Sequence, residues 1–198
     1  MGLSIHYNGR ISEKQLLTEM IAELEEISKV HGWNYTIFER MFPEEISSTN
    51  EHDGKLYGMC FVPPGSEPVS VLFLSNGRMC GPMQLQCWGD STDETERKYL
   101  YMISVKTQYA GAEIHKMVIH IFKYLNKSYL ADFTMTDEGQ YWETNDEELL
   151  DENFERYTLL INSFISALEH NQRKTGEDIE EYIIRMMKEI KEKLKPED

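Results

Sequence analysis

Two amphipathic helical stripes bracket a run of short strand-like segments, and this order limits the fold more than any other feature. The first stripe is Leu16, Leu17, Met20, Ile21, Leu24 and Ile27, with Glu19, Glu23, Glu25 and Glu26 mostly off it. The second is Ile114, Met117, Val118, Ile121, Phe122 and Leu125. Apolar residues at three- and four-residue steps line one face of a helix. The spacing therefore predicts helices over about 12–31 and 110–126. Between them, 33–38, 56–62, 69–74, 83–88 and 99–105 read as strands. Residues 3–7 form a strand before the first helix, and 131–135 a strand after the second.

Turn chemistry punctuates this run. Asn76-Gly77 predicts a hairpin, because both central residues of a type I′ turn need positive φ. Asn8-Gly9 marks another turn, and Gly32 a helix stop. Ser12 with Gln15, and Thr144 with Glu147, have capping-box spacing. Residues 69–74 are apolar on nearly both faces, which predicts a central strand. Residues 140–143 read as a short edge after the Asp137-Glu138-Gly139 turn.

The resulting expectation is an α+β fold. It comprises an antiparallel sheet of five to seven strands, helices packed on one face, and two C-terminal helices. The chain reads as a single domain over 1–198, with a sheet-and-helix body over 1–143 and a helical pair over 144–198. Each C-terminal helix carries an apolar face: Leu150, Phe154, Tyr157, Ile161, Phe164, Ile165 and Leu168 on one, Ile179, Tyr182, Ile183, Met186, Ile190 and Leu194 on the other. These faces need cover. The body is the expected cover, and a homodimer through the last helix is the alternative.

Charge narrows the functional classes. Lys+Arg number 20 against Asp+Glu 35, a formal net charge of -15. Direct nucleic-acid binding is disfavoured, since it needs cations to displace counterions from phosphates. Anionic membrane surfaces are disfavoured for the same reason. No apolar run reaches the length of a membrane span. The three cysteines, Cys60, Cys80 and Cys87, form no C-x-x-C pair. They suit a reducing cytoplasm better than a disulfide framework or a structural zinc site. Cys60 and Cys87 read as buried strand residues and Cys80 as the accessible one.

Catalytic and metal chemistry find little support. His115 and His120 are five apart on a helix, about 140° from facing one ion, and no shared metal site is expected. Glu51-His52-Asp53 precedes Gly54, where turn chemistry accounts for it. No catalytic residue, metal ligand or cofactor is assigned.

The most unusual stretch runs from Asp132 to Arg156, with ten carboxylates against one cation. Tyr141 and Trp142 are embedded in it. Such aromatics anchor interfaces, and carboxylates steer a basic partner. The candidate partner-binding residues are therefore Asp137, Glu138, Tyr141, Trp142 and Glu143. The favoured reading is an acidic cytoplasmic binding or regulatory protein that docks a basic macromolecule. The alternative is an enzyme or small-ligand receptor with a pocket between the sheet and the C-terminal helices.

Overall fold

In the computed structural model the described residues are 3–43, 52–171, 173–174 and 176–193, with the side chains of 189–193 set aside. The chain divides into two compact units, Met1–Leu150 and Asp151–Asp198.

The first unit is α+β. Strand β1 (Ser4–Ile11) leads through a 3-10 turn into helix α1 (Leu17–Val30). Strands β2 (Asn34–Ile37), β3 (Tyr57–Val62) and β4 (Val69–Phe73) follow. Then come helix α2 (Pro82–Trp88), the short helix α3 (Glu94–Arg97) and strand β5 (Ile103–Lys106). Helix α4 (Gly111–Ser128), strand β6 (Leu130–Asp137) and the single-turn helix α5 (Tyr141–Thr144) complete the series before helix α6 (Glu147–His170) begins.

The strands form two antiparallel sheets of three, ordered β5-β1-β6 and β2-β3-β4. This corrects the expectation of one sheet of five to seven strands. Two segments read as strands are helical, and the strand expected over 99–105 opens with a 3-10 turn at Tyr99–Tyr101 before β5 begins. Pro82 sits at the first turn of α2 behind an extended Gly81, where its missing N–H leaves nothing unpaired. Leu85 and Trp88, three apart, then share the face of α2 that packs on the core. Residues 141–144 form α5 rather than an edge strand.

The hairpin at Asn76-Gly77 is real but wider than a two-residue turn. Leu74 N donates to Arg78 O at 2.9 Å, and Gly77 N to Leu74 O at 2.8 Å. Only Gly77 takes positive φ there, at 81°. The returning chain joins the two sheets. Ile11 N donates to Gly77 O and Met79 N to Gly9 O, both at 2.9 Å, while Cys80 N donates to Leu72 O at 3.0 Å. Asn8-Gly9 is thus no turn. β1 runs through it with a register shift between Asn8 and Arg10.

Strand β4 is buried along its whole length yet lies at the end of its sheet. Coverage on both faces explains this. Leu72 and Leu74 share a face with Cys60 and Leu56, under Leu85 and Trp88 of α2. On the opposite face Phe61 stacks with Trp33, ring centroids 5.7 Å apart. The open edge is sealed at Ser70: the Tyr7 hydroxyl donates to Ser70 O at 3.0 Å and accepts from Ser70 N at 3.1 Å. Helix α4 covers the other sheet, with Phe122 4.4 Å from the Tyr7 ring. Its buried stripe is His115, Val118, Ile119, Ile121, Phe122 and Leu125.

The cysteine assignments reverse in part. Cys60 and Cys80 are buried and Cys87 is exposed on α2. Burial pushes the Cys80 thiol up to about 12. Maleimide labelling of the native chain is therefore expected to modify Cys87 first, with Cys60 and Cys80 reacting only on unfolding. Peptide mapping that finds Cys80 labelled as fast as Cys87 would contradict this packing.

Helix α6 continues into the second unit, which also holds helix α7 (Ile179–Lys193). Within that unit the Tyr182 hydroxyl donates to Asn171 O at 2.7 Å, and Arg185 holds Glu177 through two bonds of 2.8 and 2.9 Å. Ile179, Ile183 and Ile184 stay exposed on α7. Leu194 lies outside the described residues.

Candidate functional site

The acidic stretch is built on one buried carboxylate. Asp137 ends β6 and is only 3% exposed. Its Oδ1 accepts from Gly139 N at 2.7 Å; its Oδ2 accepts from Tyr141 N at 2.8 Å and Trp142 N at 3.1 Å. Nε2 of His115 stands 2.9 Å from Oδ1. The aspartate thus ties down the first turn of α5 and joins it to α4. Behind His115, Nδ1 lies 2.7 Å from the Thr107 hydroxyl. Neither Thr107 nor His115 has exposed surface. The order Thr–His–Asp has the connectivity of a nucleophile, base and orienting acid. With no surface for a substrate to reach, it fixes the turn instead.

Burial alone would raise the Asp137 carboxyl. The hydrogen bond and charge of His115, with the N–H groups of Trp142 and Gly139, outweigh it and hold the group below the usual aspartate range.

The five candidate residues divide by depth. Asp137 and Tyr141 were expected at the surface as contact groups, and the structure corrects this. Tyr141 is 4% exposed, its hydroxyl 3.2 Å from His120 Nε2. Both are interior because the turn needs an acceptor and a filler beneath it. Glu138, Trp142 and Glu143 remain on the outer side. Glu138 accepts from Ser4 N at 2.8 Å and sits 3.8 Å from His6. Glu143 is exposed and accepts from Asp137 N at 3.2 Å. Trp142 is half-buried, edge-on to Phe133 at 5.8 Å, with the Lys123 ammonium 5.7 Å from its ring. Asp146 caps α6 by accepting from Leu149 N at 3.1 Å, in place of Thr144, and Glu147 pairs with Lys116 at 2.9 Å.

No family model, curated protein or solved structure matches the chain. The geometry therefore carries the functional reading by itself.

Among the described residues no group of three or more His, Cys, Asp and Glu side chains could hold a metal ion, and no helix is long and apolar enough to cross a membrane. Glu51 lies outside the described residues. Its neighbours form a turn: His52 Nδ1 accepts from Gly54 N at 3.2 Å, and Asp53 accepts from Lys55 N at 3.2 Å and from the Tyr57 hydroxyl.

Sequence reasoning missed Thr107 and His115 as the support of the turn. A signal was present. His115 stands in line with Val118, Ile119 and Phe122 at helical spacing. A polar ring centred on an apolar face must find a partner in the core.

Proposed function

We propose that the chain docks a basic protein partner through the turn between β6 and α6. Trp142 is the apolar anchor. Glu138, Glu143 and the exposed Glu148 at the start of α6 supply the steering field. The supporting observation is that the backbone of the turn is tied from below by three hydrogen bonds to Asp137. A preorganised surface loses little conformational freedom on binding, so more of its contact energy appears as affinity. A chain of net charge -15 also attracts a basic partner from a distance.

The test begins with capture from lysate at low and high salt, followed by titration of the purified captured protein. Trp142→Ala is expected to weaken binding about tenfold or more, as interface aromatics do. Its folding stability is expected to drop by less than the roughly 3–5 kcal/mol of a fully buried aromatic. Glu138→Gln combined with Glu143→Gln keeps one acceptor oxygen at each position and removes two charges. It is expected to slow association more than it speeds dissociation. Unchanged affinity in both variants, or a Trp142→Ala chain that unfolds like a core mutant, would overturn the assignment.

A further inference from the structure

A cationic hollow opens elsewhere on the first unit. Arg78 comes from the end of the hairpin, Arg97 from α3, and Lys98 and Tyr101 from the segment just after it. Together they line a cleft of about 430 Å³. In this acidic chain, three cations meet there with Glu94 as the one lining carboxylate. The lining therefore carries two net positive charges. Arg10 stands directly across the backbone bridge from Arg78 and adds to the same field.

The Arg78 side chain and the backbone that carries Arg97 are held in place. The Arg78 guanidinium carbon rests 3.3 Å from the Tyr101 ring centroid. Asn76 Nδ2 donates to the Tyr101 hydroxyl at 3.4 Å, and Asn76 Oδ1 accepts from Arg78 N at 3.0 Å. Stacking occupies the face of a guanidinium and leaves its N–H donors in the plane, at the edge. Asp93 caps the helical turn that carries Arg97, accepting from Thr95 N at 2.6 Å and Glu96 N at 3.3 Å.

Arg97 also lines a second hollow of about 540 Å³, so the two adjoin. The second is polar in a different way, with His52, Thr92 and two carboxylates, Asp53 and Asp90, in its wall, so the net positive charge is confined to the first hollow. Carboxylate, hydroxyl and imidazole groups suit ligand hydroxyls rather than an anion. Each hollow falls in the size range of small-molecule sites and exceeds what a bare phosphate needs.

We propose that this double cleft binds a phosphate monoester of a hydroxyl-bearing molecule, the chemistry of a sugar phosphate. The dianion lies on Arg78, Arg97 and Lys98, where planar and point cations match its oxygens. The hydroxyls lie toward Asp90 and Thr92. This site is independent of the docking turn.

Calorimetric titration of the full chain at low ionic strength tests it, with ribose 5-phosphate, inorganic phosphate and ribose as probes. Ribose 5-phosphate is expected to saturate and to bind about tenfold more tightly than inorganic phosphate, with ribose not binding. Lys98→Gln, at an exposed position, and Arg78→Gln are each expected to weaken the ester about tenfold. Thr92→Val with Asp90→Asn is expected to reduce the ester to the affinity of inorganic phosphate. Lys29→Gln, whose ammonium already pairs with Glu25, is expected to change nothing. Melting curves of each variant separate lost binding from lost fold. Failure of the ester to saturate in the millimolar range, or equal affinity in Lys98→Gln, overturns the proposal. Inorganic phosphate binding as tightly as the ester overturns the assignment of the second hollow.

Discussion

Replacing Asp137 by Ala is expected to lower folding stability by about 3–5 kcal/mol, because it removes one acceptor from several buried donors at once. The loss has two sources. His115 would remain with no exposed surface and without the carboxylate 2.9 Å from its Nε2. The N–H groups of Gly139, Tyr141 and Trp142 would lose their acceptor at the start of α5. Asp137→Asn separates these sources. Asparagine keeps the volume and one acceptor oxygen, but its amide faces donors where the second oxygen was. It is expected to fall between Ala and the native chain. Stability should also respond to pH with a definite sign. The folded carboxyl titrates below its unfolded value of about 3.9, so its contribution is present above that pH. It is lost as the pH falls through the lower folded value. Denaturant unfolding between pH 6 and pH 3 should therefore show a shallower acid-side loss in Asp137→Asn than in the native chain. Equal acid sensitivity in the two would mean that this carboxylate is not the group responsible.

The same residue shows what the sequence allows to be read and where reading stops. Helices α1 and α4 were legible because their apolar stripes repeat over several turns, and a long repeat can be satisfied in only one way. Short segments have no such protection. Met83, Leu85 and Cys87 alternate as a strand would, while Leu85 and Trp88 also make a helical pair; Pro82 after Gly81 decides between them. β4 lacks alternation because helices and strands cover both its faces, a property of its surroundings. Asp137 belongs to a third kind. Its residue type, its place in a run of carboxylates and its turn context all suggest an exposed charge. What buries it is Thr107 and His115, brought from distant parts of the chain. The cationic cleft was hidden for the same reason, since Arg78 and Lys98 meet only after folding.

Gly58 is the position where a single methyl group is expected to do the most damage. It lies inside β3 with φ at 121°, a conformation that side chains rarely adopt. A Cβ built there would run into the carbonyl oxygen of Val71 on the neighbouring strand. The backbone cannot retreat, because it is held from the other side: Phe38 N donates to Gly58 O at 2.9 Å, and Gly58 N donates to Glu39 O at 3.0 Å. Conformational strain of about 1–3 kcal/mol and overpacking of similar size would add. Gly58→Ala is therefore expected to destabilise the fold by about 3–5 kcal/mol, and to do so without removing any native contact. Gly54 gives the comparison. It also has positive φ, 75°, but a Cβ there would meet nothing within 4 Å. Gly54→Ala should show the conformational part alone, about 1–2 kcal/mol. Urea unfolding of the two variants measures the difference directly. If both fall by the same small amount, strand β3 can shift away from Val71, and the tight approach of β3 and β4 is not a constraint on the fold. If Gly58→Ala falls much further, the close approach of the two strands is what requires glycine at this position.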